Sequence, residues 1–216
     1  MWLVGLGNPG SRYDGTRHNV GFDVAQALVE RWRAKAVART QAFAAWRARV
    51  PGGAGREVAI LTPLLFMNRS GEAIQAYEAD RRERVAPAES LIVCDDIYLP
   101  VGAIRLRARG TTAGHNGLAS VQEHFGTPEY PRLRIGVGHA GGEELVDHVL
   151  SRFEDDEREK VDAALARCLD ACETWARDGV VAAMNRFNQK VRAEAQDERA
   201  QAPSNPADNR DEGESS

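Results

Sequence analysis

With 216 residues, 43% of them hydrophobic and 28% charged, the chain is long enough for one well-cored domain and short for two. The apolar opening from Met1 to Leu6 lacks a basic lead and is too short for a signal peptide or membrane helix. No later stretch is long enough either, so the expectation is a cytoplasmic protein with no membrane partner. A formal charge of −4 excludes bulk attraction to nucleic acid and leaves any RNA contact to a local patch.

Leu3 to Leu6 reads as a buried first strand, and a Gly/Pro-rich loop follows through Arg17. Val20 to Arg33 is predicted as a helix because Phe22, Val24, Ala25, Leu28 and Trp32 recur close to one face, with Asn19 as N-cap. Phe43 to Val50 and Glu57 to Leu61 flank Pro51-Gly52-Gly53-Ala54-Gly55 and read as a hairpin. Ser70 to Arg82 is a second helix, and Leu91 to Cys94 a buried strand. Ala103 to Arg109 alternates apolar residues with Arg105, Arg107 and Arg109, the pattern of a strand with one basic face. Gly117 to Phe125 reads as a short helix, Leu133 to Val137 as a strand, and about Glu143 to Phe187 as mainly helical. Strands interleaved with helices indicate an α/β fold, a single-domain three-layer α/β/α arrangement around a mixed twisted sheet.

Cys94, Cys168 and Cys172 are too few for a disulfide framework and read as packing residues, in keeping with a reducing compartment. From Glu194 to Ser216 seven acids face two arginines, a net of −5, with Pro203, Pro206 and few apolar residues. Residues 194–216 are therefore expected to be an acidic disordered tail on a folded domain of residues 1–193. That domain holds 25 acids and 26 bases, nearly all of them Arg, whose planar fork suits phosphate.

Gly5-Leu6-Gly7-Asn8-Pro9-Gly10 follows a strand and satisfies a dinucleotide-binding glycine pattern. The context opposes that reading. A dinucleotide site needs a helix beginning at the third glycine, and here Ser11-Arg12-Tyr13-Asp14-Gly15-Thr16 is turn chemistry. Pro9 also removes a backbone donor, and Ala34 to Gln41 contains no acid to bind a ribose. A different set of residues falls at strand exits and helix entrances: Asn8, His18-Asn19, Met67-Asn68, Cys94-Asp95-Asp96 and Gly114-His115-Asn116-Gly117. Such points converge at the carboxyl edge of an α/β sheet, where ligands bind. The set offers an imidazole, a carboxylate to orient it and several amides, the components of a water-activating site. Each also has a structural reading, with Asn68 and Asn116 as helix N-caps.

The strings that carry these residues resemble the bacterial-type peptidyl-tRNA hydrolase family. Gly5 to Gly10 with Tyr13 and Thr16-Arg17-His18-Asn19-Val20-Gly21 is similar to its first signature, and Phe66-Met67-Asn68-Arg69-Ser70-Gly71 to its second. Asp95-Asp96 with Leu99-Pro100 and Gly102 looks like its acidic loop, and Gly114 to Leu118 its helix-opening signature. Leu133 to Gly138 and Ala183 to Phe187 match as well, so the resemblance runs in order from Leu3 to about Asn188. Two departures stand out: Tyr98 occupies a slot that is usually acidic, and the glycine run before His115 is thinned to Gly110-Thr111-Thr112-Ala113-Gly114, which suggests a stiffer loop.

The resemblance implies hydrolysis of the ester between a peptide and the 3′ end of tRNA by a monomer that needs no cofactor or metal. It makes His18 the general base, with Asp95 bonding the other ring nitrogen. It puts Asn8 at the ester, Asn68 and Asn116 on the peptide backbone, Met67 as an apolar wall, and Tyr13 and His115 nearby. Arg107 and Arg134 match a clamp for the 5′-phosphate of the acceptor stem, with Arg105 and Arg109 extending the track. The alternative is a non-catalytic RNA-binding relative of the same fold, which the presence of His18, Asp95 and Asn8 opposes.

Overall fold

The structure is a computed structural model that describes residues 1–139 and 145–188, so the domain boundary expected at residue 193 and the acidic tail lie outside the described residues. The elements are β1 (Trp2–Gly5), α1 (Val20–Arg31), β2 (Lys35–Arg39), β3 (Phe43–Arg49), β4 (Glu57–Pro63), α2 (Ser70–Arg81) and β5 (Ser90–Asp96). After them come β6 (Ile104–Arg107), α3 (Asn116–Phe125), β7 (Arg132–Gly136), α4 (Leu145–Leu150), α5 (Arg158–Asp178) and α6 (Val180–Phe187). Among the described residues seven strands form one sheet in the order β2-β3-β4-β1-β5-β7-β6. The four central strands β4, β1, β5 and β7 are parallel, while β6 and the β2–β3 pair are antiparallel.

Every residue of β1 and of β5 is buried, as strands covered on both faces must be. Successive residues then feed two different cores. Leu3, Leu91 and Val93 pack with Val24, Ala25 and Leu28 of α1 and with Cys168, Cys172 and Trp175 of α5. Val4, Ile92 and Cys94 point the other way, to Ile74 and Tyr77 of α2 and Leu118 and Val121 of α3. The three layers read from the sequence are these, and all three cysteines are free and buried.

One contact between glycines places the site. A side chain on Gly5 would collide with the Gly21 carbonyl, and one on Gly21 with the backbone of Leu6 and Val93. Glycine at both positions lets the first turn of α1 lie directly on the ends of β1 and β5. The residues just before α1 are thereby held at the carboxyl edge of the sheet.

Several local expectations needed correction. Asn19 sits at the capping position of α1, but its side chain makes no cap bond and reaches back to residue 8. Phe22 is only half-buried and lies over Gly7. Strand β6 stops at Arg107, so Arg109 falls beyond it and pairs at the surface with Glu129 at 3.5 Å. Strand β2 has a largely exposed, irregular pattern with a bulge between Ala36 and Ala38, and no alternation announces it. The turn expected after the glycine loop, by contrast, is there as the 3-10 turn Ser11–Tyr13, without the helix whose start a dinucleotide site needs.

Candidate active site

His18 lies in a 3-10 turn, Arg17–Asn19, that leads into α1. Its neighbours hold the turn from both sides. Arg17, 4% exposed, makes a two-pronged pair with Glu157, its nitrogens 3.1 and 2.6 Å from the carboxylate oxygens. It also donates to the Val137 carbonyl at 3.0 Å and lies 4.7 Å over the Phe153 ring. Asn19 accepts from the Asn8 backbone N–H at 2.8 Å and donates to its carbonyl at 3.1 Å. The His18 turn is thus tied to the exit of β7, to the start of α5 and to the loop after β1.

Between these anchors His18 Nδ1 stands 2.7 Å from Oδ1 of Asp95, at the end of β5. The same oxygen meets Nε2 of His115 at 3.0 Å. Nδ1 of His115 accepts from the backbone N–H groups of Gly117 and Leu118, at 3.0 and 3.2 Å. His115, and not Asn116, is therefore the N-cap of α3, and Arg69 rather than Asn68 holds the cap position of α2. Because Nδ1 of His115 accepts, its proton sits on Nε2 and is given to Asp95.

Asp95 is 3% exposed. Burial by itself pushes its carboxyl pKa up, but the contact with His115, and then that with His18, hold it well below the usual carboxylate range. An ionised Asp95 is acceptor only, so His18 carries its proton on Nδ1 and its lone pair on Nε2.

Ligand-type atoms of His18, Asp95 and His115 all lie within 4.8 Å of one another, a grouping that sequence spacing did not show. The cap geometry disfavours a metal there. An Nε2-bound ion would move the His115 proton to Nδ1, against two backbone donors.

Asn8, 8% exposed, uses its side-chain oxygen to accept from the Met67 N–H at 2.8 Å. That fixes the amide so that its –NH2 group is the end left for a ligand. Met67 is buried, and its sulfur fills the space a side chain at Gly117 would need. Asn68 is exposed in the 3-10 turn Met67–Arg69. Tyr13 is half-buried against Phe66, edge to face at 6.4 Å.

A cavity of about 160 Å³ has His18, Asp95, His115, Asn116, Tyr98 and Arg134 in its walls, together with Leu145, Val146 and Val149 of α4. A second cavity, of about 200 Å³, is lined by Arg105, Arg107, Arg109, Arg132 and Arg134 with Asp96 and Thr111. Asp96 and Arg134 line both cavities. Arg134 bonds Asp96 Oδ2 at 3.0 Å and the Thr111 carbonyl at 2.7 Å. Arg132, fully buried over the Tyr130 ring, bonds the same carbonyl at 2.9 Å. The Thr111 loop is held by Ala113 at φ 50°, a left-handed conformation where glycine would be unstrained.

The fold thus gathers His18, Asp95, His115, Asn116 and Arg134 around one cavity and puts Arg107 in the adjoining one. The anchoring roles of Arg17 and Asn19 were not read from the sequence, although both residues flank His18. Arg132 also escaped notice, since a buried arginine inside an apolar strand has no periodic signature.

The chain matches the family model described as peptidyl-tRNA hydrolase over residues 2–196. It is 41% identical to the peptidyl-tRNA hydrolase of Geobacillus kaustophilus, with 87% of this chain and 98% of the relative covered. Identity to that of Symbiobacterium thermophilum is 45%, covering 86% and 97%. The crystal structure of peptidyl-tRNA hydrolase from Acinetobacter baumannii superposes with a TM-score of 0.78 at 33% identity, over 87% of this chain and 93% of that one. The ordered motifs, the three-layer sheet and these likenesses agree, and the chain belongs to the peptidyl-tRNA hydrolase family.

Proposed function

We propose that the chain hydrolyses the ester between a peptide, or an N-blocked amino acid, and the 3′ end of tRNA, with His18 as general base. The observation that carries this reading is the 2.7 Å bond from His18 Nδ1 to a buried, ionised Asp95. It commits Nε2 of His18 to accepting a proton, on a ring that lines the cavity. A water attacking the ester carbonyl gives its proton to Nε2, and Asp95 stabilises the imidazolium. The tetrahedral intermediate collapses as the ribose oxygen leaves and takes that proton back, yielding a free peptide acid and a tRNA hydroxyl. The Asn8 amide donates to the oxygen where charge develops. Asn68 and Asn116 grip the peptide backbone, with Met67 and Tyr13 shaping that side. His115 keeps Asp95 oriented.

Arg107 and Arg134 bind the 5′-phosphate of the acceptor stem, supported by the arginine lining of the second cavity. Monomeric action in the cytoplasm fits the same reading; among the described residues no helix is long and apolar enough to cross a membrane. A purely RNA-binding relative finds no support beside curated relatives named as hydrolases.

The test is release of the blocked amino acid from N-blocked aminoacyl-tRNA by the purified protein. Multiple turnovers without added cofactor are expected, and absence of turnover in chain that binds the RNA would overturn the assignment.

A further inference from the structure

Resting on the proposed ester hydrolysis, we infer that Tyr98, paired with His139, is a stacking platform for an unpaired nucleobase of the RNA 3′ end. Tyr98 is 66% exposed, while Leu99 beside it is buried. Its ring lies 6.1 Å from that of His139 with 25° between the planes. Its backbone N–H is fixed by Asp96 Oδ1 at 2.9 Å, which ties the aromatic loop to the carboxylate that holds Arg134. A large, exposed aromatic pair makes no contribution to a core, and a planar π-face is what a splayed-out base uses.

The location selects the occupant. The arginine cavity and the His18 cavity share Asp96 and Arg134, and Tyr98 stands in the wall of the His18 cavity. In an acceptor stem whose 5′-phosphate lies among the arginines, the opposite strand carries the unpaired 3′ nucleotides from the paired end to the ribose at His18, past that shared wall. Of the two carboxylates on the route, Asp96 is paired with Arg134, and Asp95 is buried with both imidazoles bonded to one of its oxygens. Tyr98 also faces an outer hollow with Pro100, Gly138 and His139, so the ring is reachable from outside. The amides of Asn8 and Asn68, with Met67, belong to the loops after β1 and β4, away from the arginine cavity. That chemistry suits a peptide, and Asn116, which shares the His18 cavity with Tyr98, marks where peptide and nucleotides meet.

The test measures equilibrium binding of an uncharged acceptor-stem hairpin with a 5′-phosphate and unpaired 3′ nucleotides. The same hairpin with abasic sugars at the unpaired positions is the comparison. Tyr98→Ala should weaken the intact hairpin about 10-fold and the abasic one very little, and Tyr98→Phe should restore most of the binding. In hydrolysis of the full substrate Tyr98→Ala should raise KM with little change in kcat. An equal loss on both hairpins, or a Phe variant as weak as the Ala variant, overturns the platform. So does a loss that appears only with peptide-bearing substrate and grows with peptide length, which would assign the ring to the peptide. Protein that binds the hairpin but hydrolyses no ester overturns the proposed function and leaves the platform standing. Hydrolysis indifferent to Tyr98 does the reverse.

Discussion

The two cavities that meet at Asp96 and Arg134 solve different physical problems. In the His18 cavity short hydrogen bonds decide everything: Asp95 is buried, and both imidazoles converge on one of its oxygens. Each contact sets a tautomer, and an error of about 1 Å would cost the reaction heavily. In the arginine cavity the currency is net charge. Arg132 and Arg134 are tied to the Thr111 carbonyl, and Arg107 is an exposed residue at the end of β6. Cations act over a screening length of about 8–10 Å, so the exact pose of one of them matters less. A change at His18 or Asp95 should therefore appear in kcat, and a change among the arginines in KM and its salt dependence.

The largest effect is expected from His18→Ala, which should lower kcat by about 10²- to 10⁴-fold with an unchanged circular dichroism spectrum. Asp95→Asn should cost less, because the imidazole stays while its tautomer loosens, and should alter the pH–rate profile. Near-wild-type turnover of His18→Ala would remove the distinction between the cavities.

A smaller effect, of a different kind, is expected from Arg107→Ala and Arg134→Ala. Each should raise KM far more than it lowers kcat, flatten the salt dependence by roughly one unit of slope, and erase most of the preference for a 5′-phosphorylated substrate. Arg134→Ala should also lower thermal stability, since Asp96 is left buried without its cation. If both variants keep the wild-type phosphate preference, the contact lies elsewhere, with Arg105 and Arg109 next to test.

The smallest effect concerns stability and lies outside both cavities. Burial, and then the charge of Asp14, raise the carboxyl of Asp23 from 3.8 to about 6. The fold favours its neutral form, so its stabilising contribution is complete below the unfolded value and is lost as pH rises through about 6. Asp23→Asn should stabilise the protein by about 1–3 kcal/mol at pH 8 and hardly at all at pH 4. A pH-independent difference between the two proteins, measured by denaturant unfolding, would refute this account.

Much of the architecture was legible from local patterning. The helical face of α1, the hairpin around Pro51 to Gly55 and the buried runs of β1 and β5 each follow from a periodicity or turn signal contained in a few neighbouring residues. The short strand β2 was not legible, because its pairing with β3 stabilises it and its own residues alternate poorly. The same line divides the site. The motif strings contain His18, Asp95, Asn8 and Asn116, and their positions at strand ends and helix starts follow from chain order.

The sequence by itself determined which chemical groups are present, where they fall along the elements, and that the chain resembles a peptidyl-tRNA hydrolase. Only the tertiary structure decided what those groups do to one another. His18 meets Asp95 across 77 residues, and Arg17 meets Glu157 across 140. His115 turned from a neighbour of the site into a helix cap that also shares the Asp95 oxygen, and Asn19 from a cap into a brace for Asn8. Periodicity reports only which face of an element is buried. Pairings over such separations depend on how closely elements pack, which here rests on bare backbone contact between Gly5 and Gly21.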